Sequence, residues 1–371
     1  MATTTTTAAP RADERVARTP WVRRVFGRPE LGAVAGAILV FIFFAVVARG
    51  TGMFSALGII NFLEVSAQLG IIAVAACLLM IGGEFDLSIG SMIGAAGVII
   101  AIPAVQYGWP LWLCILFAFA VAALIGFING QIVVRTGLPS FIVTLAALFI
   151  LRGATIGFTR LITGRTQVSG LQPLIERDWL APVFAGQVGY PVFKWMAGAG
   201  WIAARPDGEP LVSGVPMSIV WWLGLTLVAS WLLLRTRVGN WIFAVGGDPV
   251  AARNVGVPVR AVKIGLFMFT ACAATIFACV QVLDQGSADV LRGVLKEFEA
   301  IIASVIGGTL LTGGYGSPIG AAFGALIFGT VRQGIFYTGV NTDWFQVFLG
   351  VMLLIAVIFN NYIRRKVVES R

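Results

Sequence analysis

Histidine is absent from the 371 residues, only 12% are Asp, Glu, Lys or Arg, and four are cysteine. Without histidine, the common His-containing zinc sites and a Ser-His-Asp hydrolase are excluded. No GxxxxGK[ST] run occurs, so the chain is not expected to carry its own P-loop ATPase. Soluble domains are typically about 25% charged, which excludes that class. Cys77, Cys114, Cys272 and Cys279 all fall inside apolar segments. There they serve as packing residues, with neither a disulfide framework nor a CxxC metal pair, and no metal site is expected.

What is present is apolar surface: 58% hydrophobic residues and a mean hydropathy of +0.92. The apolar runs do not alternate with period two, as an outer-membrane barrel would require. The sequence therefore predicts an all-α polytopic membrane protein, with about ten transmembrane helices and broken or re-entrant segments. Lys and Arg give a net charge of +9 but cluster at the ends of apolar runs. That placement orients a membrane protein, and nucleic-acid binding is not expected.

Residues 1–30 are Thr-rich, then Arg-rich, and have no apolar core with a cleavage site, so they read as a basic cytoplasmic tail rather than a signal peptide. The membrane domain covers 31–363. Its spans are predicted at about 31–48, 60–81, 87–105, 110–128, 138–156, 217–234, 262–283, a short run at 300–311, 318–337 and 344–362. A second basic tail follows over 364–371. Ten spans place both termini on one side. If that side is cytoplasmic, Arg135, the basic interval 235–263 and both tails face inward. The polar interval 157–214 is then an extended periplasmic loop folded back onto the membrane surface.

Two glycine-rich stretches interrupt the apolar pattern. The first, Gly82-Gly83-Glu84-Phe85-Asp86-Leu87-Ser88-Ile89-Gly90-Ser91, sets two carboxylates and two serines between spans. Ionisable groups at membrane depth are costly, and irregular backbone there is tolerated only against protein or water. The stretch reads either as a helix break facing other helices or a solute path, or as a polar turn at the membrane surface. In both cases Asp86 is expected to cap a helix starting at Leu87. The second stretch, from Gly307 and Gly308 to Gly313-Gly314-Tyr315-Gly316-Ser317, ends where Ser317 and Pro318 can cap and open the next span.

Within 235–263, Asp248-Pro249-Val250-Ala251-Ala252-Arg253-Asn254-Val255-Gly256 carries the punctuation of one short helix. Asp248 suits the N-cap, Pro249 the first turn, and Gly256 the C-terminal stop. At roughly 10 Å it is too short to stand alone and needs something to pack against.

These stretches together resemble the membrane permease of ABC-type simple-sugar importers, the ribose/xylose/arabinose/galactoside type. The matching runs are Gly83–Ser91, Asn129-Gly130, Leu138–Leu145, Arg235–Gly239, Ala244–Asp248, Ala251–Arg253, Glu297–Ile301, Ile306–Thr309 and Gly313–Ser317. Two departures stand out: Glu299 occupies the place of the family's usual Asp, and the interval 157–214 is longer than usual. The resemblance implies that Asp248, Ala251, Ala252, Arg253 and Gly256 form a coupling helix against a cytoplasmic ABC ATPase subunit. It implies a translocation path shaped by Glu84, Asp86, Ser88, Ser91, Asn129, Thr144 and Thr309. Gly82, Gly83, Gly90, Gly307, Gly308, Gly313, Gly314 and Gly316 would be its helix-break glycines.

A periplasmic sugar-binding protein would dock on 157–214 and the link 284–297, near Glu297 and Glu299, unless these two are plain surface charges. Arg253 would likewise be either a coupling residue or a solvated charge. The chain would pair with a second copy in the bacterial inner membrane, in contact with lipid. It would bind no cofactor itself, ATP and Mg being held by the ATPase subunit. Two alternatives stay open: an ion-coupled secondary transporter using Glu84 and Asp86, and an ABC permease carrying nucleosides or branched-chain amino acids.

Overall fold

The structure, a computed structural model, describes residues 29–341 and 343–369. Residues 1–28 of the expected basic tail, and 370–371 of the second one, lie outside the described residues. The first five helices are α1 (Pro29–Val47), α2 (Ala56–Ile81), α3 (Ile89–Tyr107), α4 (Leu111–Thr136) and α5 (Ser140–Thr163). Each is a predominantly apolar run, and α2 opens on Ser55, whose hydroxyl accepts the Gly58 N–H at 3.2 Å. Because α5 continues to Thr163, the polar interval expected from 157 begins only at 164. The basic Arg160 sits in the last turn of α5, where it suits the negative end of the helix dipole.

That interval is folded. It carries β1 (Gln167–Ser169), α6 (Gln172–Ile175), α7 (Ala181–Ala185), β2 (Gln187–Val188), α8 (Tyr190–Gly198) and β3 (Val215–Pro216). The β2 and β3 strands pair antiparallel. Phe184 anchors the loop by stacking on Trp221 at 5.4 Å, and the Trp221 indole N–H donates to Val183 O at 2.8 Å. Trp179, Trp195 and Trp201 are exposed. Glu209 accepts hydrogen bonds from Tyr190 and Lys194 at 2.5 and 2.9 Å. The Tyr190 hydroxyl, and after it Lys194, hold the Glu209 carboxyl below its ordinary value.

The chain then returns through α9 (Met217–Arg235) to the basic interval, which holds two helices rather than the one expected: α10 (Arg237–Gly247) and α11 (Pro249–Asn254). Asp248 separates them and caps α11, accepting from Val250 and Ala251 N–H at 2.8 and 3.0 Å. Such a cap is worth about 1 kcal/mol. Gly256 (φ +86) stops the helix as expected. α12 (Val259–Gln285) follows, then β4 (Ser287–Asp289), which pairs with β1, then α13 (Lys296–Ile306), α14 (Pro318–Tyr337) and α15 (Trp344–Glu369).

Among the described residues eight helices are long and apolar enough to cross a membrane: α1, α2, α3, α4, α5, α9, α12 and α14. α15 adds the apolar stretch Trp344–Ile355. α13 is a half-helix of 11 residues, about 16 Å against a hydrocarbon core of about 30 Å. It lies earlier than the 300–311 expected from hydropathy, because it opens on charged Lys296, Glu297 and Glu299 directly after Leu295 (φ +66). The non-helical chain beyond it runs on beside the C-terminal half of α2. Ser304 bonds Ala73 O at 2.9 Å, Thr309 meets Cys77 at 3.1 Å, and Gly314 N–H donates to Ile81 O at 2.8 Å. Against the ten spans expected, the described residues thus give eight long apolar helices, the half-helix α13 and the apolar first part of α15.

α2, α3 and α12 form the buried centre, while α1, α4, α5 and α9 turn residues such as Leu39, Phe149, Leu161 and Leu227 outward. α12 lies along α4 and α14 along α2. Their closeness rests on missing side chains: a Cβ at Gly126 of α4 would come 2.6 Å from Phe267 O of α12.

Candidate functional site: two helix breaks and the segment between them

The first break, residues 82–88, leaves α2 through Gly83 (φ +83). It then runs extended into the protein rather than forming a surface turn. Its backbone N–H groups and polar side chains are met by side chains from three other helices. On α5, the Ser140 hydroxyl accepts the Phe85 N–H at 3.0 Å and Thr144 accepts the Leu87 N–H at 3.0 Å. From α4, the Asn129 amide donates to Ser88 Oγ at 3.1 Å. From α12, Lys263 pairs with Glu84, and the Thr270 hydroxyl lies 2.9 Å from Asp86 Oδ2. That hydroxyl also reaches Phe267 O at 2.8 Å, so its single proton serves one acceptor at a time.

Asp86 does not cap a helix at Leu87. α3 begins two residues later, at Ile89, and Asp86 Oδ1 instead accepts from the N–H and hydroxyl of Ser88 at 2.8 and 2.5 Å. The carboxylate is drawn into the network by Thr270, 16 Å along α12 by the helical rise of about 1.5 Å per residue. That depth is mid-span. Asp86, Ser88, Asn129 and Thr270 are therefore hydrogen-bonded into one cluster, and Glu84 and Thr144 are buried beside it on the same break. Ser91 stands at its edge, bonded to Leu148 O at 2.9 Å. A polar group at this depth is costly without partners, and here each has one.

The second break, Gly307 to Ser317, contains Thr309, which is separate from that cluster and packs against α2. The Ser317 hydroxyl caps α14 through Gly320 N–H at 3.4 Å, as expected. Gly313 and Gly314 both have positive φ, of +81 and +73. They touch the end of α2 and, from the opposite side, α10. A Cβ placed on Gly246 of α10 would lie 1.7 Å from Ile81 O and 2.7 Å from Gly314 N. One on Gly313 would lie 2.8 Å from Gly83 Cα and from Gly246 O. Both breaks and the segment leading into α11 thus meet backbone to backbone at one node.

On α11 itself, Ala252 is buried against the chain. Asp248, Val250, Ala251, Arg253, Val255 and Gly256 are exposed. Glu297 and Glu299 are not surface charges: they are 2% and 9% exposed. Glu297 lies 3.8 Å from Arg152 of α5 and against Gly90, where a Cβ would fall 1.9 Å from its Oε2. Glu299 pairs with Lys296.

The sequence reasoning missed Lys263, Thr270, Arg152 and Gly246. Arg152 had a usable signal, an isolated charge inside the apolar run 138–156. Lys263 and Thr270 had none, since they lie 179 and 184 residues from their partners.

Residues 58–357 match the family described as branched-chain amino acid transport system / permease component. The xylose transport system permease protein of Escherichia coli strain K12 is 31% identical over 364 residues, covering 90% of this chain and 92% of that protein. The ribose import permease protein of the same strain is 29% identical over 345 residues, covering 91% and 97%. The fructose import permease protein of Rhizobium meliloti is 30% identical over 332 residues, covering 88% and 84%. No solved structure matches the chain.

Proposed function

Since the chain belongs to the branched-chain amino acid transport system / permease component family, we propose that it is the permease subunit of an ATP-driven importer for a monosaccharide or related polyol. The family is one of transport permeases, not enzymes. The protein is a multi-pass component of the bacterial inner membrane, with α10 and α11 on the cytoplasmic side as the positive-inside rule requires. Similarity to xylose, ribose and fructose permeases over most of the chain favours a sugar as cargo.

One observation carries the mechanism: the capped helix α11 stands directly behind α10, whose Gly246 touches both breaks at once. A soluble ABC ATPase gripping Asp248, Val250, Ala251, Arg253 and Val255 would push α10. That push would reach the first and second breaks without an intermediate side chain. ATP and Mg would be held by that subunit. The breaks would then switch between outward- and inward-facing arrangements, a population shift driven by the differential affinity of nucleotide and solute for the two. A second copy of the chain and a periplasmic sugar-binding protein, docking on residues 164–216, complete the assembly.

Family membership speaks against a self-sufficient ion-coupled carrier, and so do the partners of Glu84 and Asp86. In Asp86→Asn the side-chain oxygen can still accept from Ser88, and the new amide can donate to Thr270 Oγ1. Uptake of D-xylose, D-ribose or D-fructose into energised cells is therefore expected to stay within a few-fold of wild type. Complete loss in Asp86→Asn, together with arrest by a protonophore while ATP is held high, would favour the ion-coupled carrier instead. The family's own description favours a branched-chain amino acid as the second cargo reading, and L-leucine belongs in the same uptake assay.

A further inference from the structure

At the end of the molecule opposite α11, the first turns of α13 and α15, the last turns of α14 and the start of α2 border a half-open cavity of about 840 Å³. None of the path residues expected from the sequence lines it. Its volume falls in the range of small-molecule sites, about 300–1,000 Å³. Its lining is unusual for a membrane span. Arg332 is the one charged residue in α14, it is exposed, and its guanidinium lies over the Phe345 ring at 5.7 Å. Beside it are Gln333 and Asn61, with Glu299 on the facing half-helix. Phe298 and Phe336 line the same cavity and are 47% and 65% exposed.

Arg332 stands in the last turns of α14, where a long cationic side chain can reach the membrane interface, and with Glu299, Gln333 and Asn61 it gives the cavity polar groups that water or a polar solute can meet. Of the charged residues lining the cavity, Glu299 is paired with Lys296, which does not itself line it, and this leaves Arg332 against Asp343, so neither an anion nor a cation is favoured overall. Planar amide, guanidinium and carboxylate groups match the paired hydroxyls of a sugar. Aromatic rings that offer a bare face match the C–H side of its ring.

We propose that this cavity is a solute site of the permease, and that it takes a neutral polyhydroxylated ring of monosaccharide size. The proposal rests on the sugar-importer function and adds to it the place where the sugar first sits in the membrane domain. The position suits that step, because the cavity opens at the end where a binding protein would release its cargo. It also has a mechanical consequence. α13 is a rod running from the cavity to the second break, and its Glu297 reaches Arg152 and Gly90 just beyond the first. Occupancy of the cavity therefore bears on both breaks through one short helix.

The test is saturation-transfer NMR on the full-length permease in lipid nanodiscs, with D-xylose, D-ribose, D-fructose and L-leucine at millimolar concentration, alongside uptake by cells carrying the whole importer. The expected result is transfer to one of the sugars, reduced at least fivefold by Phe298→Ala and by Arg332→Gln, with a matching rise in the uptake KM. Both side chains are exposed, so the variants are expected to fold, and normal yield with an unchanged unfolding temperature checks that. Unchanged transfer in both variants, or transfer to leucine alone, would overturn the proposal. So would variants that lose only self-association, which would make this face a contact between two copies. If cells take up a sugar while no transfer to it is seen, the site is wrong and the importer function stands. If cells take up none of the three sugars, the sugar function itself fails and the site falls with it.

Discussion

Gly246→Ala is expected to lower ATP-driven uptake by at least about tenfold, while Gly247→Ala, one residue on, leaves it within about twofold. The contrast comes from geometry alone. The new methyl at Gly246 would have to occupy a point 1.7 Å from the Ile81 carbonyl oxygen and 2.7 Å from Gly314 N, both backbone atoms that cannot turn aside. At Gly247 nothing lies within 4 Å. Forcing a methyl into packed surroundings typically costs about 1–3 kcal/mol, and a backbone obstacle sets the upper part of that range. To make room, α10 must move off the end of α2, which parts the segment carrying α11 from both breaks. Sugar uptake and copy number in the membrane should be measured together. A Gly246→Ala protein present at normal level but inactive is the expected outcome. Equal uptake in the two variants would show that the node transmits nothing.

The second large effect concerns Lys263 and Glu84. Both are largely buried, with side chains 17% and 9% exposed, and they join the first break to the start of α12. Removing one partner strands a charge, and Glu84→Gln or Lys263→Met alone is expected to destabilise the protein by about 3–5 kcal/mol. Replacing both leaves no charge unpaired, so Glu84→Gln/Lys263→Met should recover most of that stability and with it most of the uptake. Thermal unfolding in detergent and uptake by cells read the two quantities. Recovery of stability without recovery of uptake would mean that the Glu84 carboxylate has a chemical task, as an ion-coupled carrier requires, and is more than half of a structural pair.

What could be read ahead of the structure divides by distance along the chain. The helix Pro249–Asn254 was legible because its cap, first-turn proline and terminal glycine lie within nine residues. So was the break at 82–88, where glycines and carboxylates stand out against apolar neighbours. The partners that hold this break were only half legible. Asn129 and Thr144 came through family resemblance, whereas Lys263 and Thr270 carry no local mark and are supplied by packing. Apolar run length puts α13 four residues late, because charged Lys296, Glu297 and Glu299 open the helix. The same charges made the link look like surface. In fact Gly90, lacking a side chain, lets Glu297 sit inside. α10 carries no sequence mark of its own: its 11 residues mix small, aromatic and charged side chains, and only one face is buried, through Ile242 and Val245. The node at Gly246 could not be found from sequence at all, since a close backbone approach is visible only once three distant segments are in place.

The central claim is that this chain is driven by a separate ATPase through α11. The direct measurement is to tag the full-length protein, extract it gently from native membranes and weigh what comes with it. The account predicts a stoichiometric soluble ATPase, lost when residues 248–255 are replaced by a Gly-Ser linker while the membrane domain keeps its yield. A protein that comes out alone and still catalyses uptake in ATP-free vesicles would contradict it.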